Sequence, residues 1–440
     1  GAMLTPINPL FSADELASKL SMSQSSVLAV HHSFVSVALE AMQTTTAKIE
    51  HLIVLTDNND DDEDSVLPTG SVSLNSLRFH DKPMIETLPE IHSQTSERIA
   101  FLPYSSGTTG LPKGVALTHD NIVANLYQLD SIEGDAMERG ENVVLSPLPF
   151  FHIYAFTFSL LYGARHGCTL ISNSGRFELA AFCQACQDHQ VDRAHLVPPI
   201  LLGLAKHPMV DQYDMSSLKT IISAAAPAGG TLEEEVEARI NCRVKQCWGM
   251  SELSPLGTGH DDTNIKAGSV GPLAPSTLGK IVDSEGNSLG PKESGELLVQ
   301  GPQVMAGYHN SPDKTLETKS PESGWMRTGD VAYYDEDGYF FINDRIKELV
   351  KVRGYPVAPA ELEALLVTHP EIADAAVIGV PHEESGEVPQ AHIVLKAAAE
   401  EQVDMGKKAL ELQEWVKHKV APYKRLEGGV VFVEQIPKSA

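Results

Sequence analysis

The sequence predicts an α/β fold in two domains. A large multi-layer α/β unit with a β-rich subdomain is expected over 4–345, and a small α+β domain over 346–440. Three observations point there. Short apolar runs alternate with helical stretches between positions 98 and 240, the texture of layered and largely parallel sheets. From about Leu278 hairpin signals replace that texture, with Glu285-Gly286-Asn287 and Asp337-Gly338 as turns. The 440 residues allow two or three domains at roughly 150 residues each, with a core that needs neither disulfides nor metals.

A first helix is expected over 12–20, with Ser12 as its cap and Glu15 three positions on, a capping-box spacing. His51 to Thr56 reads as a short apolar strand. The acidic run Asp57–Asp64 that follows reads as a solvated loop rather than a cation site, because like charges repel and stay hydrated. Strands are expected over 98–104, 142–146, 169–172, 195–197 and 219–223, and helices over 120–129, 177–189, 198–206 and 231–240. After the hairpins a domain boundary falls near Arg345–Lys347. Beyond it come a helix over 359–368, strands over 372–380 and 388–396, and a helix over 407–419. A tail of about ninety residues is a normal size for an independent unit.

Charge excludes some functions. With 33 basic and 59 acidic side chains the net charge is −26, which argues against a nucleic-acid groove, since phosphate backbones need clustered Lys and Arg. No apolar run reaches the roughly 18 residues of a spanning helix, and no secretory signal opens the chain. Gly1-Ala2 before Met3 reads as an expression scar. Five cysteines make no disulfide framework, so an intracellular, reducing compartment is expected, cytoplasmic by default, with a peroxisomal signal beyond Ala440 left open. Cys183 and Cys186 read as partly buried thiols on an amphipathic helix, because nothing completes a tetrahedral metal set.

The most informative stretch runs from Tyr104 to Gly114, after an apolar strand. Gly107, Gly110 and Gly114 let backbone N–H groups approach an anion. Ser105, Ser106, Thr108 and Thr109 add hydroxyl donors, and Lys113 adds a charge. This is the chemistry of a polyphosphate cradle. It is not a Walker loop, because Lys113 stands between Pro112 and Gly114 rather than before Ser or Thr.

The segment SSGTTGLPKGV resembles the signature of the adenylate-forming superfamily, which holds acyl-CoA synthetases, luciferases and peptide-synthetase adenylation domains. Further segments resemble that family in the right order. They are Pro149–Tyr154 (PFFHIY), Ser223–Pro227 (SAAAP), Trp248–Glu252 (WGMSE), Arg327–Asp330 (RTGD), Asp344–Lys351 (DRIKELVK), Ala358–Glu363 and Ile436–Ser439. The 4-coumarate–CoA ligase branch is the most similar. The resemblance covers nearly the whole chain. It implies an AMP-forming acid–thiol ligase that uses ATP, Mg²⁺ and coenzyme A on a small carboxylic acid, with a 4-coumarate-like aromatic acid favoured.

The resemblance also implies roles. The loop from Ser105 to Lys113 would hold the β- and γ-phosphates, Ser251 would donate to a phosphate oxygen, and Glu252 would hold Mg²⁺. Ala225, Ala226 and Pro227 would pack beside the adenine with Trp248 stacked on it, next to Gly249 and Met250. Asp330 would accept from the ribose hydroxyls, Arg345 would contact ribose or phosphate, and Lys351 would approach the adenylate phosphate. Lys347 would be the hinge of the small domain. His152 would orient the carboxylate, while Tyr154, Ala224, Gly249, Pro255 and Leu256 would line the acyl pocket.

Three departures from the family pattern matter. Ala224 stands where Gly is usual and narrows the acyl pocket, and overpacking of this kind costs about 1–3 kcal/mol. Pro356 replaces a usual Gln and cannot donate an amide hydrogen bond, and Arg353 replaces a Lys. Both ends look cut, so a front subdomain and the lysine after I-P-K-S are expected to be missing, and with them efficient adenylation by this polypeptide. Competing readings are a medium- or long-chain fatty acyl-CoA synthetase, a luciferase-like oxygenase, and a nucleotide-binding module without turnover. The sequence carries no signal for oligomeric state.

Overall fold

A computed structural model describes residues 2–56, 67–78, 95–105, 113–133, 137, 140–172, 175–353, 355–382, 384–396 and 404–437. The acidic run Asp57–Asp64 lies outside them. The centre is a six-stranded sheet in the spatial order Leu256–Gly259, Arg243–Gly249, Thr220–Ser223, Arg193–Leu196, Val143–Ser146, Thr169–Ser172. Neighbours are parallel except at one edge, where Leu256–Gly259 runs antiparallel to Arg243–Gly249. Its interior strands are buried almost throughout, as a sheet covered on two faces requires, although they carry Arg193, His195 and Lys245 among their apolar residues. One face packs on the helices Leu179–His189, Pro198–Lys206 and Gly230–Ile240 through Phe182, Leu201 and Val236. Cys183 and Cys186 lie wholly inside this layer, more deeply than the sequence suggests, and burial pushes both thiols up. The other face carries Leu129, Tyr154, Phe158 and Tyr162.

The expected strand over 98–104 is two short strands, Ile99–Phe101 and Tyr104–Ser105, both paired with Lys113–Thr118. Pro103 separates them, and proline has no N–H for a ladder. The helix expected over 120–129 extends over His119–Glu133. Ser12 caps Ala13–Ser23 with the full capping box. Three features escape sequence periodicity. Val27–His31 and Ser71–Ser73 flank the expected strand, His51–Leu55, in a parallel sheet. A helix spans Val35–Thr44. A π-helical segment spans Ala155–Leu161, a geometry frequent beside functional sites.

An antiparallel sheet follows, in the order Leu278–Val282, Gly295–Gln300, Met326–Tyr334, Phe340–Arg345. The first turn is anchored by Asp283, whose carboxylate accepts from the backbone of Glu285 and Asn287. The chain returns at once in antiparallel register, with Asp283 N–H donating to the Asn287 carbonyl at 3.0 Å and Leu289 N–H to the Ile281 carbonyl at 2.8 Å, and Gly295–Gln300 then pairs with Leu278–Val282. Beyond Arg345 the chain builds a separate core from Val350, Leu362, Val377, Ile393 and Leu412 around its own sheet. Asp344 Oδ2 accepts from Ala360 N–H at 3.1 Å and so ties the last strand of the large unit to the first turn of Pro359–Val367.

Candidate active site

In the central sheet the chain turns back at Val143–Ser146, which has a later strand on each side. Ligands of open α/β sheets bind outside the carboxyl ends of the strands at such a reversal. His152 follows Ser146, Ala224 and Ala225 follow Ser223, and Met250 to Glu252 follow Gly249. All of them line one cavity of about 650 Å³.

Ser105 and Lys113 enter the same cavity from the two ends of a hairpin, facing each other in register. The loop between them, with Ser106, Gly107, Thr108, Thr109 and Gly110, lies outside the described residues. Ser105 Oγ is buried with no hydrogen-bond partner among the described residues, which is costly unless a ligand takes it up. Lys113 Nζ lies 4.7 Å from the centre of the Tyr308 ring.

Gly249 ends its strand against the next turn, where a Cβ would stand 2.1 Å from the Pro255 carbonyl oxygen. Only glycine lets the chain pass there into the short turn Ser251–Leu253. Glu252 is 5% exposed and its Oε1 accepts from Tyr308 Oη at 2.8 Å. No hydrogen bond reaches Oε2 among the described residues, so that oxygen remains for a hard cation. Burial, then Glu252, pushes the Tyr308 phenol up, so it stays a donor. Among the described residues no cluster of three His, Cys, Asp or Glu forms a preset metal cage. A Mg²⁺ bound mainly through substrate phosphates needs only the one carboxylate.

Trp248, Asp330 and Arg345 form a chain. The indole N–H donates to Asp330 Oδ2 at 2.8 Å, and Arg345 Nε lies 3.3 Å from Oδ1. Burial raises the Asp330 pKa against the pull of Arg345 and Trp248. Asp330 therefore stands behind the cavity wall, while Trp248 and Arg345 line it. The Trp248 ring lies over Gly257, where a Cβ would come within 2.3 Å of it.

The apolar part of the cavity is lined by His152, Tyr154, Phe158, Ala224, Cys247, Pro255 and Leu256. Tyr154 Oη donates to the Ile222 carbonyl at 3.0 Å and its ring meets Phe158 edge-on at 5.0 Å. His152 Nδ1 accepts from Tyr154 N–H at 3.3 Å, which leaves the proton on Nε2. Solvent reaches this ring through the cavity, yet the surrounding protein lowers its pKa by desolvation. Ala225 holds φ +77, a left-handed conformation that costs a non-glycine residue about 1–2 kcal/mol.

Three expected residues lie elsewhere. Ala226 and Pro227 face a second space of about 1270 Å³ between the large and small domains. Neither of them lines the first cavity, which Ala225 does. Lys351 lies exposed on Val350–Val352 of the small domain and lines neither space, whereas Lys347 lines the first. Tyr308, Phe158, Cys247 and Thr328 line the cavity without a sequence expectation. Their contacts join residues far apart in the chain, so no local pattern marks them.

Comparison with known proteins agrees with this geometry. Residues 1–309 match the AMP-binding enzyme family, and 361–440 match the AMP-binding enzyme C-terminal domain. The chain is 41% identical to a probable 4-coumarate–CoA ligase 3 of Dictyostelium discoideum, over 80% of this chain and 63% of that protein. It is 38% identical to 4-coumarate–CoA ligase 2 of Nicotiana tabacum, over 100% of this chain and 78% of that protein. Among solved structures, the anthranilate CoA ligase AuaEII in complex with anthranoyl-AMP superposes with a TM-score of 0.84 at 25% identity, over 98% of this chain and 79% of that one. The amide bond synthetase McbA from Marinactinospora thermotolerans gives 0.79 at 25% identity, over 100% and 82%. With one family model matching residues 1–309 and its C-terminal companion matching 361–440, the chain belongs to the AMP-binding enzyme family.

Proposed function

We propose that the protein is an AMP-forming acid–thiol ligase, which activates a carboxylic acid with ATP as an acyl-adenylate and passes the acyl group to coenzyme A. The supporting observation is that phosphate-type groups and an apolar pocket share one cavity. Lys113, Ser105 and Ser251 would donate to the phosphates and stabilise charge on the departing pyrophosphate. Mg²⁺, held by Glu252, would neutralise charge on the phosphate oxygens. The Nε2–H of His152 would donate to the carboxylate and hold it for attack on the α-phosphorus. Arg345, kept straight by Asp330, would lie along the ribose and phosphate. The small domain would rotate about Lys347 between the two half-reactions, carrying Lys351 towards the cavity, in keeping with two domains and the space between them.

For the acid, an aromatic one of the 4-coumarate kind is favoured. Tyr154, Phe158 and Leu256 line the apolar part of the cavity, with two aromatic rings for an aromatic acid to pack on. The two 4-coumarate–CoA ligases aligned above fit the same choice. Acid-dependent ATP–pyrophosphate exchange with a panel from acetate through octanoate to 4-coumarate tests this. Exchange with an aromatic acid and formation of its CoA thioester is the expected outcome. Preference for octanoate would overturn the acid class. The absence of both exchange with any acid and thioester formation from a preformed acyl-adenylate and coenzyme A would overturn the ligase.

A further inference from the structure

We propose that Tyr308 is a positioning residue that sets the metal–triphosphate clamp, orienting Glu252 through its phenol and holding Lys113 apart on its ring face. This rests on the nucleotide reading above and adds a residue to it. Lys113 and Glu252 carry opposite charges in one cavity, yet among the described residues no ion pair joins them. Tyr308 touches both: its Oη is 2.8 Å from Glu252 Oε1, and Lys113 Nζ is 4.7 Å from its ring centre. A hydrogen bond to one carboxylate oxygen fixes the carboxyl plane and turns the other oxygen outward. A cation on a ring face is held without being neutralised. Both charges therefore stay available to a ligand that carries phosphates and a divalent ion.

The backbone around Tyr308 is built to keep it there. Gly307–Tyr308 pairs antiparallel with Ala116 and Val115, on the same strand that begins at Lys113. His309 N–H donates to the Gly114 carbonyl at 2.8 Å, and Met305 N–H to the Glu252 carbonyl at 2.8 Å. Tyr308 N–H donates to Thr315 Oγ1 at 2.8 Å. One short segment thus ties the end of the phosphate loop to the turn bearing Glu252, and the Tyr308 side chain repeats that tie at the level of the charges.

The test uses the full chain with Tyr308→Phe and Tyr308→Leu. Mn²⁺ binding in the presence of ATP is followed by electron paramagnetic resonance, and ATP binding in excess EDTA by calorimetry. Tyr308→Phe keeps the ring and loses the phenol, so metal·ATP affinity is expected to fall about tenfold while metal-free ATP binds as before. Tyr308→Leu is expected to weaken both. In a Glu252→Gln background, Tyr308→Phe is expected to add no further loss of metal affinity, which a merely structural role would not produce. Wild-type metal·ATP affinity in Tyr308→Phe, or full additivity with Glu252→Gln, would overturn the assignment of Tyr308. If the unaltered chain bound no ATP in either assay, the nucleotide reading itself would fall, and this one with it.

Discussion

Ala224 is the clearest specificity position. It is 7% exposed and lines the apolar part of the cavity. Ala224→Gly removes a methyl from that wall, so kcat/KM for 4-coumarate is expected to rise several-fold relative to that for benzoate. An unchanged ratio in a competition assay would remove Ala224 from the pocket's size limit. His195 makes a second prediction. It is buried under Tyr154, with Nδ1 2.8 Å from Ser159 Oγ, and burial lowers its pKa to about 4. Above the ordinary value of 6.5 both folded and unfolded forms are neutral, and the stability is fully present. As pH falls from 6.5 towards 4 the unfolded chain takes a proton and the folded one does not. Stability then falls by up to about 1.4 kcal/mol per pH unit. Urea midpoints at pH 7.5 and 5 are expected to differ less in His195→Gln than in the unaltered chain, and equal differences would place the acid sensitivity elsewhere. Glu252 was legible in sequence because Trp248-Gly-Met-Ser stands beside it, whereas its partner Tyr308 lies 56 positions away and has no local pattern.

At the scale of elements, the edge strand Leu256–Gly259 presents glycine where Trp248 lies across it. Gly257→Ala would drive a Cβ into the indole and displace it from Asp330. Weaker ATP binding with a modest loss of melting temperature is expected, and unaltered ATP affinity would show that the indole's place is immaterial. Below the pocket a buried ionic group joins the helix His119–Glu133 to two strands and the turn after the edge strand. Glu133 lies 2.5 Å from Arg193 and 2.8 Å from Lys245, and Asp262 lies 2.9 Å from Arg193 and 2.6 Å from Lys245. Lys245→Met leaves uncompensated carboxylates inside, and breaking such a set costs about 3–5 kcal/mol. Equilibrium unfolding measures this directly, and a loss under ~1 kcal/mol would mean that the remaining Arg193 suffices. The helices of this layer were legible from apolar spacing. The ionic group was not, because each member sits in an ordinary-looking element and only the sheet order brings the four together.

At the scale of the molecule, a side-chain hydrogen bond ties the small domain to the last strand of the large one. Asp344, just before Arg345, caps the helix Pro359–Val367 from the other side of the boundary. Asp344→Ala is expected to free the small domain, with protease cleavage between the domains rising several-fold while the melting temperature of the large domain holds. Cleavage at the original rate would assign the arrangement to other contacts.

By itself the sequence determined the layered α/β class, the small C-terminal domain after the large one, and most of the segments that line the first cavity. Those depend on local spacing, on turn chemistry and on side chains of a given type standing in a row. Tertiary structure alone decided the rest. It put Ala226, Pro227 and Lys351 outside the first cavity, set Asp330 behind Trp248 and Arg345, and brought Tyr308 between Lys113 and Glu252. Such placements follow from strand order and from the direction in which the chain leaves each strand end. Both are fixed by packing between residues far apart in the chain, which no local pattern encodes.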